Sequence, residues 1–368
     1  MRIGLIFGTR PEAIKMAPVY LKLKEMNLET LVITTAQHRE LLDQVLRLFQ
    51  IVPDHDLNIM SNSQTLPTLT QKLIYEIDKI IQKEKFDYIL VQGDTTTAFI
   101  GALISFYYKI PVAHVEAGLR TNDIYNPFPE EINRRLISVI ASLHFAPTQR
   151  AKENLLREGI DETTIKVTGN TVVDALHWIK GNKTADMQKT REKYDLNNKK
   201  YILMTMHRRE NWGEPMINVL KAVKIYLNEN PDMYLVFPVH PNPIVKNLVH
   251  ENLKEIENVI LLEPVEYFEL ISLIDGCEYI MTDSGGIQEE APSFGKPVLV
   301  LREKTERPEI LETNLAKLVG TEAQNVYDHM KKLESYEFKN VTFQNPFGDG
   351  KASQRIIEHL IKTISNKH

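Results

Sequence analysis

The chain has one cysteine and no long apolar run, and each shortage excludes a class of protein. Cys277 is the single cysteine among 368 residues, which excludes an intrachain disulfide and a cysteine-rich zinc or iron–sulfur site. No segment reaches the about 18 consecutive apolar residues that a membrane-spanning helix needs. The first apolar run, Ile3–Phe7, is too short for a signal peptide. We therefore expect a water-soluble protein of a reducing compartment, the cytoplasm.

Blocks of one charge sign and cofactor motifs are missing as well. Forty-four Lys and Arg stand against 49 Asp and Glu, giving a formal net charge of −5, so neither nucleic acid nor a membrane is an expected partner. Neither the G-x-G-x-x-G fingerprint nor a P-loop occurs, and no histidine pair has helical metal-binding spacing. We expect no dinucleotide cofactor and no catalytic metal.

The sequence does contain a repeated alternation of strand and helix patterns. At roughly 150 residues per domain, the length predicts two domains. Short aliphatic runs alternate with helical segments from Ile3 to Thr168, and again from Tyr201 to Leu301, which is typical of α/β proteins with parallel sheets. The segment Gly181–Lys200 has few residues of buried type, and we interpret it as a polar connection near a domain boundary.

Polar residues that follow the predicted strands of the first half are the first candidate site residues. Parallel sheets bind ligands at the carboxyl ends of their strands, so the predicted site is a cleft between the domains. Arg10 and Lys15 flank a helix start, as anion ligands or as ordinary surface cations. Asp94 either caps the next helix, the commoner role of a lone Asp, or enters the site. Glu116 at a strand end favours a site role, whereas Glu130 taken alone suits the dipole of its helix.

The second half carries three further groups of candidates. His207 follows a strand together with two arginines and a glutamate, which favours participation in the site, while His240 is a ligand contact or a loop residue. The turn Ser284–Gly286 between a strand and a helix predicts an anion site suited to a diphosphate. Glu290 either accepts hydrogen bonds from ribose hydroxyls or complements the helix dipole. Arg307 is one of several nearby cations that could neutralise phosphates, unless these charges form a solvated run.

Several strings of this sequence resemble the non-hydrolysing bacterial UDP-N-acetylglucosamine 2-epimerases, in order along nearly the whole chain. They are GTRPEAIKMAP (Gly8–Pro18), TAQHRELLDQVL (Thr35–Leu46), QGDTTT (Gln92–Thr97), HVEAGLRT (His114–Thr121), NPFPEEINRR (Asn126–Arg135), TGNTVVDAL (Thr168–Leu176), HRREN (His207–Asn211), TDSGGIQEEAPSFGKPVLVLR (Thr282–Arg302), TERPE (Thr305–Glu309) and NPFGDG (Asn345–Gly350).

The resemblance implies a GT-B-like α/β architecture, with two Rossmann-like domains whose parallel sheets face each other across a deep cleft. The N-terminal acid/base domain would span residues 1–170 with a C-terminal helix at 352–368, and the UDP-binding domain residues 171–351. The family usually forms homodimers, and it interconverts UDP-GlcNAc and UDP-ManNAc.

The resemblance also implies roles for individual residues. The catalytic acid/base set matches Asp94, Glu116, Glu130 and His207. The substrate-binding positions match Arg10, Lys15, Ser284, Gly285, Gly286, Glu290 and Arg307. Some relatives are activated by UDP-GlcNAc at a neighbouring site, to which Gln37, Arg208 and His240 correspond, whereas Glu40 and Ser63 depart from a Gln and an Arg there.

The chemistry that such an enzyme performs is constrained by its substrate, because the sugar C2 proton is not next to a carbonyl. Without a nicotinamide fingerprint, the expected route is elimination of UDP followed by re-addition, in support of cell-envelope polysaccharide synthesis. A GT-B glycosyltransferase, a hydrolysing epimerase and a non-catalytic UDP-sugar sensor are the alternatives.

Overall fold

A computed structural model describes residues 1–36, 39–60, 64–305, 307–333 and 345–365. The chain divides into two compact units, Met1–Trp178 with Phe347–His368, and Ile179–Pro346. No helix within the described ranges is both long and apolar enough to cross a membrane.

The first unit is built on a seven-stranded sheet in the order β3-β2-β1-β4-β5-β6-β7. Every neighbouring pair in it is parallel. Its strands are β1 Arg2–Phe7, β2 Glu29–Thr34, β3 His55–Asp56, β4 Tyr88–Gln92, β5 Val112–Val115, β6 Leu143–Ala146 and β7 Ile165–Val167. Its helices are α1 Arg10–Glu25, α2 Arg39–Leu48, α3 Leu66–Lys83, α4 Thr96–Tyr107, α5 Glu130–Ile140, α6 Gln149–Arg157 and the greater part of α7 Thr171–Asn182, together with the last helix of the chain, α15 Ala352–Ser365.

The second unit repeats this plan with six parallel strands in the order β10-β9-β8-β11-β12-β13. The strands are β8 Lys200–Thr205, β9 Met233–Pro238, β10 Val259–Leu262, β11 Tyr279–Thr282, β12 Val298–Val300 and β13 Ala316–Leu318. The helices are α8 Thr184–Lys193, α9 Glu214–Glu229, α10 Pro243–Leu253, α11 Tyr267–Gly276, α12 Gly285–Glu290, α13 Pro308–Leu311 and α14 Ala323–Leu333.

Burial on both faces explains why the central strands have continuous apolar sequences. Ile3, Leu5, Ile6 and Phe7 of β1 are all fully buried, as expected of a parallel strand covered by helices on both sides. The alternation that predicted two parallel α/β units is therefore confirmed by both sheets.

The strand order also locates a site in each unit. In the first sheet the order reverses between β1 and β4, and in the second between β8 and β11. Open α/β sheets bind ligands at such switch points, beyond the carboxyl ends of the strands. The residues that follow these strands are those of the loops at Gly8, Gly93, Met206 and Asp283.

The prediction of a polar connection over Gly181–Lys200 is wrong for half of this segment, because α8 occupies Thr184–Lys193. This helix has a single large apolar anchor, the buried Met187. Ion pairs hold it to α11: Arg191 Nη1 lies 3.0 Å from Asp275 Oδ2, and Lys193 Nζ lies 2.6 Å from Glu269 Oε1. A helix that packs mainly through ion pairs lacks most of the periodic apolar residues by which a helix is recognised in a sequence.

The last helix, α15, packs against α1, and a buried aspartate binds its N-terminus. The Asp174 carboxylate accepts hydrogen bonds from the Ala352 N–H at 3.1 Å, from the Ser353 N–H at 2.7 Å and from the Ser353 hydroxyl at 2.6 Å. Helix N-termini leave such N–H groups without partners inside the helix, so Asp174 satisfies donors that are buried here.

Replacing Asp174 by alanine is expected to lower the free energy of unfolding by about 1–3 kcal/mol, because two buried N–H groups lose their acceptor. Urea denaturation followed by circular dichroism measures this change. Glu153, whose carboxylate is half-exposed and lies 3.8 Å from Arg157, provides a matched control, since Glu153→Ala should change stability by less than about 0.5 kcal/mol. Equal effects of the two substitutions would contradict the capping role.

Candidate functional site

A buried glutamate fixes the loop after β1 to the loop after β4. Thr9 and Glu12 form a capping box at the start of α1. The Glu12 carboxylate accepts from the Gly8 N–H at 3.0 Å and, across the switch point, from the Thr95 hydroxyl at 2.7 Å. Burial raises the pKa of Glu12, and these hydrogen bonds oppose that rise. Arg10 is the first residue of α1 and is half-buried beside this junction.

Glu116 is a buried carboxylate that three side chains of the first unit bind. It follows β5 with a left-handed φ of 65°, a conformation that costs free energy for a residue other than glycine and is concentrated at functional sites. Its side chain accepts hydrogen bonds from Lys15 and Gln92. The Asn170 amide donates to the same carboxylate at 3.1 Å. These three donors come from α1, from β4 and from the connection before α7.

Asp94 lies in the adjacent loop, and the interpretation of Asp94 as a helix cap is wrong. Thr95 is the N-cap of α4, which leaves the Asp94 carboxylate free to pair with Arg134. The Asn133 amide donates to the Asp94 backbone carbonyl at 2.9 Å. A Cβ placed on Gly93 would lie 3.8 Å from Glu116 Oε2, so this loop approaches the Glu116 carboxylate closely.

Two neighbouring glutamates at the start of α5 have different surroundings. Glu130 is half-buried and, within the described ranges, makes no hydrogen bond or ion pair. Glu131 is fully buried and accepts from Thr121 N at 3.0 Å and from Arg134 Nη1 at 3.3 Å. Burial opposes its ionisation, but the Thr121 hydrogen bonds and the Arg134 charge lower the pKa of Glu131 overall. Glu131 therefore supports Arg134, and Glu130 is the one available to a ligand.

In the second unit, His207 is oriented by a buried aspartate. Asp283 is fully buried directly after β11, and its Oδ1 lies 2.8 Å from His207 Nδ1. It also accepts from the backbone N–H groups of His207 at 3.0 Å and Arg208 at 2.9 Å, and from the Asn211 amide at 2.9 Å. Burial works against ionisation of Asp283, yet its hydrogen bonds with His207 lower its pKa. An ionised Asp283 requires His207 Nδ1 to be the donor, which leaves Nε2 for chemistry.

The predicted activation-site residues are only partly described. Gln37 lies outside the described residues. Arg208 donates from Nε to the Asp283 carbonyl at 3.1 Å, and the His240 ring lies 6.2 Å from that of Trp212. Burial lowers the pKa of His240, and the proximity of His207 adds to this effect. Arg208 and His240 therefore belong to the same region of the second unit as His207.

The predicted diphosphate site begins directly after Asp283 in the sequence. Ser284 is the N-cap of α12, and its hydroxyl accepts from the Ile287 N–H at 3.5 Å. A Cβ placed on Gly285 would lie 3.9 Å from the Arg307 guanidinium carbon, so this cation faces the start of the helix. Arg307 also pairs with Glu289. Gly286 is exposed next to it.

Glu290 lies at the opposite end of the same short helix and is buried, with 8% of its surface exposed. Of the two acids that are adjacent in the sequence, Glu289 is the one that pairs with Arg307.

Five residues of the two sites were not predicted. They are the partners of the predicted groups: Gln92 and Asn170 at Glu116, Arg134 at Asp94, Asp283 at His207 and Glu289 at Arg307. Three of them had a signal in their position, because Gln92 ends β4, Asn170 follows β7 closely and Asp283 follows β11 directly. Arg134 and Glu289 lie within helices and had no such signal.

Comparisons with known proteins agree on one family. A family model described as UDP-N-acetylglucosamine 2-epimerase matches residues 21–361. A Bacillus subtilis protein named UDP-N-acetylglucosamine 2-epimerase is 48% identical over 366 residues, covering 98% of this chain and 95% of that protein.

Solved structures give the same result. The Neisseria meningitidis UDP-GlcNAc 2-epimerase bound to UDP-GlcNAc matches with a TM-score of 0.88 and 47% identity, covering 98% of this chain and 100% of that one. The Methanocaldococcus jannaschii UDP-GlcNAc 2-epimerase in complex with UDP-GlcNAc and UDP matches with a TM-score of 0.80 and 38% identity, with the same coverage. The predicted GT-B-like α/β fold class is thereby confirmed.

Proposed function

This chain belongs to the UDP-N-acetylglucosamine 2-epimerase family, and from that premise we propose how it converts UDP-GlcNAc and UDP-ManNAc into each other. The reaction inverts C2 without hydrolysing the nucleotide sugar. We propose that it proceeds by elimination of UDP to a 2-acetamidoglucal-type intermediate, followed by re-addition. The observation that carries the proposal is the Glu116 carboxylate, which three donors hold beside the Asp94 loop.

In the first step the C2 proton leaves to a carboxylate while the C1–O bond breaks. The electron pair of the C2–H bond forms the C1–C2 double bond, and the electron pair of the C1–O bond departs with UDP. Charge developing at C1 acidifies the otherwise unreactive C2 proton. Re-addition forms the C1–O bond again as a proton reaches C2 from the opposite face. Because the two faces need separate groups, we propose Asp94, Glu116, Glu130 and His207 as the acid/base set.

The second unit is proposed to hold the UDP group. Backbone N–H groups at Ser284, Gly285 and Gly286 and the nearby Arg307 guanidinium would stabilise the diphosphate as it departs. Glu290 would accept from ribose hydroxyls, and Arg10 and Lys15 of the first unit would contact the substrate. The surroundings of Arg307 support this assignment, since its pairing with Glu289 is an arrangement that an incoming phosphate could replace or share.

We further propose that the enzyme is a cytoplasmic homodimer and that its product, UDP-ManNAc, serves cell-envelope polysaccharide synthesis. Activation by UDP-GlcNAc at Arg208 and His240 is the regulatory part of this proposal.

Positional isotope exchange tests cleavage of the C1–O bond. UDP-GlcNAc labelled with ¹⁸O at the anomeric bridging oxygen should scramble the label into the non-bridging β-phosphate oxygens, because free UDP can rotate within the site before re-addition. Mass spectrometry and ³¹P NMR of recovered UDP-GlcNAc measure this. Retention of the label in the bridge during turnover would exclude elimination, and accumulation of free ManNAc with UDP would indicate a hydrolysing enzyme.

A further inference from the structure

Among the three donors to Glu116, one is a side chain from the far end of the first unit's sheet. Asn170 is the last residue of the connection from β7 to α7, and only 4% of its surface is exposed. Its amide nitrogen donates to Glu116 Oε1 at 3.1 Å, between residues 54 positions apart in the sequence. The same carboxylate oxygen also accepts from Lys15. Asn170 and Lys15 therefore donate to the same oxygen of Glu116.

A second hydrogen bond of the Asn170 side chain sets the orientation of its amide. Its side-chain oxygen accepts from the Val172 N–H at 3.0 Å. An amide has its acceptor and its donor on opposite sides, so satisfying the Val172 N–H turns the NH₂ group toward Glu116. The reversed orientation would place two oxygens against each other and leave a buried N–H of α7 without a partner. The hydrogen bond from the first turn of α7 therefore fixes the Asn170 NH₂ group as the donor to Glu116.

The C-terminal segment of the chain, which belongs to the first unit from Phe347 onward, binds the Asn170 backbone. Its N–H donates to the Phe347 carbonyl at 2.7 Å. Gly169, with φ 93°, passes so close to Gly348 that a Cβ on Gly169 would lie 3.4 Å from the Gly348 Cα. The NPFGDG string, Asn345–Gly350, gains a structural purpose here, because its turn supports the peptide that carries Asn170.

We propose that Asn170 is a positioning residue for Glu116, held in register by the turn at Phe347–Gly348. The inference rests on the proposed role of Glu116 and adds to it. Three donors hold the Glu116 side chain, and Asn170 is a neutral donor whose amide orientation is set by the Val172 N–H. Loss of this donor lets the carboxylate rotate away from the sugar C2, and a displacement on the order of 1 Å can cost about 10²-fold in rate.

Two substitutions of Asn170 test this role, so that the test remains possible if one of the two variants fails to fold. Asn170→Asp keeps the oxygen that accepts from Val172 but replaces the donor with a carboxylate oxygen facing Glu116. Asn170→Ala removes both interactions. We expect kcat to fall by about 10²-fold in both, with KM for UDP-GlcNAc and the affinity for UDP within about twofold of wild type. Asn154→Ala is the matched control, since Asn154 donates to the Gly118 carbonyl at 3.0 Å without contacting Glu116, and its kcat should stay near that of wild type.

A double-mutant cycle with Glu116→Gln distinguishes positioning from general structural support. If Asn170 acts through Glu116, Asn170→Ala should change the residual rate of Glu116→Gln by less than about threefold, because interacting residues are not additive. An undiminished 10²-fold loss in that background would overturn the proposal. Near-normal kcat in Asn170→Asp would also overturn it while leaving the role of Glu116 intact. Near-normal kcat in Glu116→Gln would overturn both residue roles, whereas the proposed function itself is refuted only if the wild-type protein does not epimerise UDP-GlcNAc.

Discussion

Replacing Glu116 by glutamine is expected to lower kcat by about 10²–10⁴-fold, the usual contribution of a positioned acid or base. Glutamine has nearly the same size, but it cannot take the C2 proton. Its amide would also turn a donor toward Lys15, Gln92 or Asn170, all of which donate to the native carboxylate. Conversion of UDP-GlcNAc, followed by separation of the two nucleotide sugars, measures the loss.

The affinity for UDP supplies the control for this variant. Because the proposed UDP contacts lie in the second unit, the dissociation constant of UDP measured by calorimetry should remain within about threefold of wild type, a difference of roughly 0.7 kcal/mol. Glu153→Gln, on the exposed face of α6, should leave kcat unchanged. A Glu116→Gln enzyme with nearly wild-type kcat would remove this carboxylate from the mechanism.

Replacing Asp283 by asparagine is expected to reduce both turnover and stability. The native carboxylate accepts from His207 Nδ1, from two backbone N–H groups and from the Asn211 amide. Asparagine offers one oxygen in place of two and turns an N–H toward these donors. His207 then loses the acceptor that fixes its tautomer, and kcat should fall by about 10²-fold or more. The free energy of unfolding should fall by about 1–3 kcal/mol.

The pH dependence of stability identifies Asp283 as the cause. Its folded pKa is lowered, so it stabilises the folded state above the unfolded aspartate pKa of about 3.9, and this contribution is lost as pH falls through the folded pKa. The difference in unfolding free energy between wild type and Asp283→Asn should therefore be constant from neutral pH down to about 5 and shrink at lower pH. Asp186→Asn on the exposed side of α8 should show no such difference. A gap that grows on acidification would contradict the assigned charge state.

The positions of most strands could be predicted because these strands are buried and bear a short aliphatic run, as β1, β4 and β8 do. The short edge strands β3 and β13 are partly exposed and lack such a run, and they were not predicted. The site residues at strand ends followed from the same rule, which placed Glu116 and His207 at the carboxyl edges of their sheets. The helix α8 could not be predicted, since ion pairs to α11 replace most of the apolar stripe.

The partners of the site residues could not be predicted from the sequence, for a different reason. Lys15 and Glu116 are 101 positions apart, and Asp283 lies 76 positions from His207, so neither pairing leaves a local pattern. Asp94 shows the consequence: alone it looks like a helix cap, and only the fold reveals that Thr95 caps α4 and that Arg134 pairs with the aspartate. Residue type and strand position indicate a candidate, whereas its role depends on contacts that only folding creates.

Incubation with UDP-GlcNAc in D₂O, followed by NMR at sugar C2, tests proton transfer at C2 most directly. We predict that UDP-ManNAc forms with deuterium at C2 and that recovered UDP-GlcNAc also gains C2 deuterium, because the abstracted proton and the returned one pass through groups that exchange with solvent. UDP-ManNAc that keeps its original hydrogen at C2, or a complete absence of UDP-ManNAc and of exchange, would contradict this mechanism.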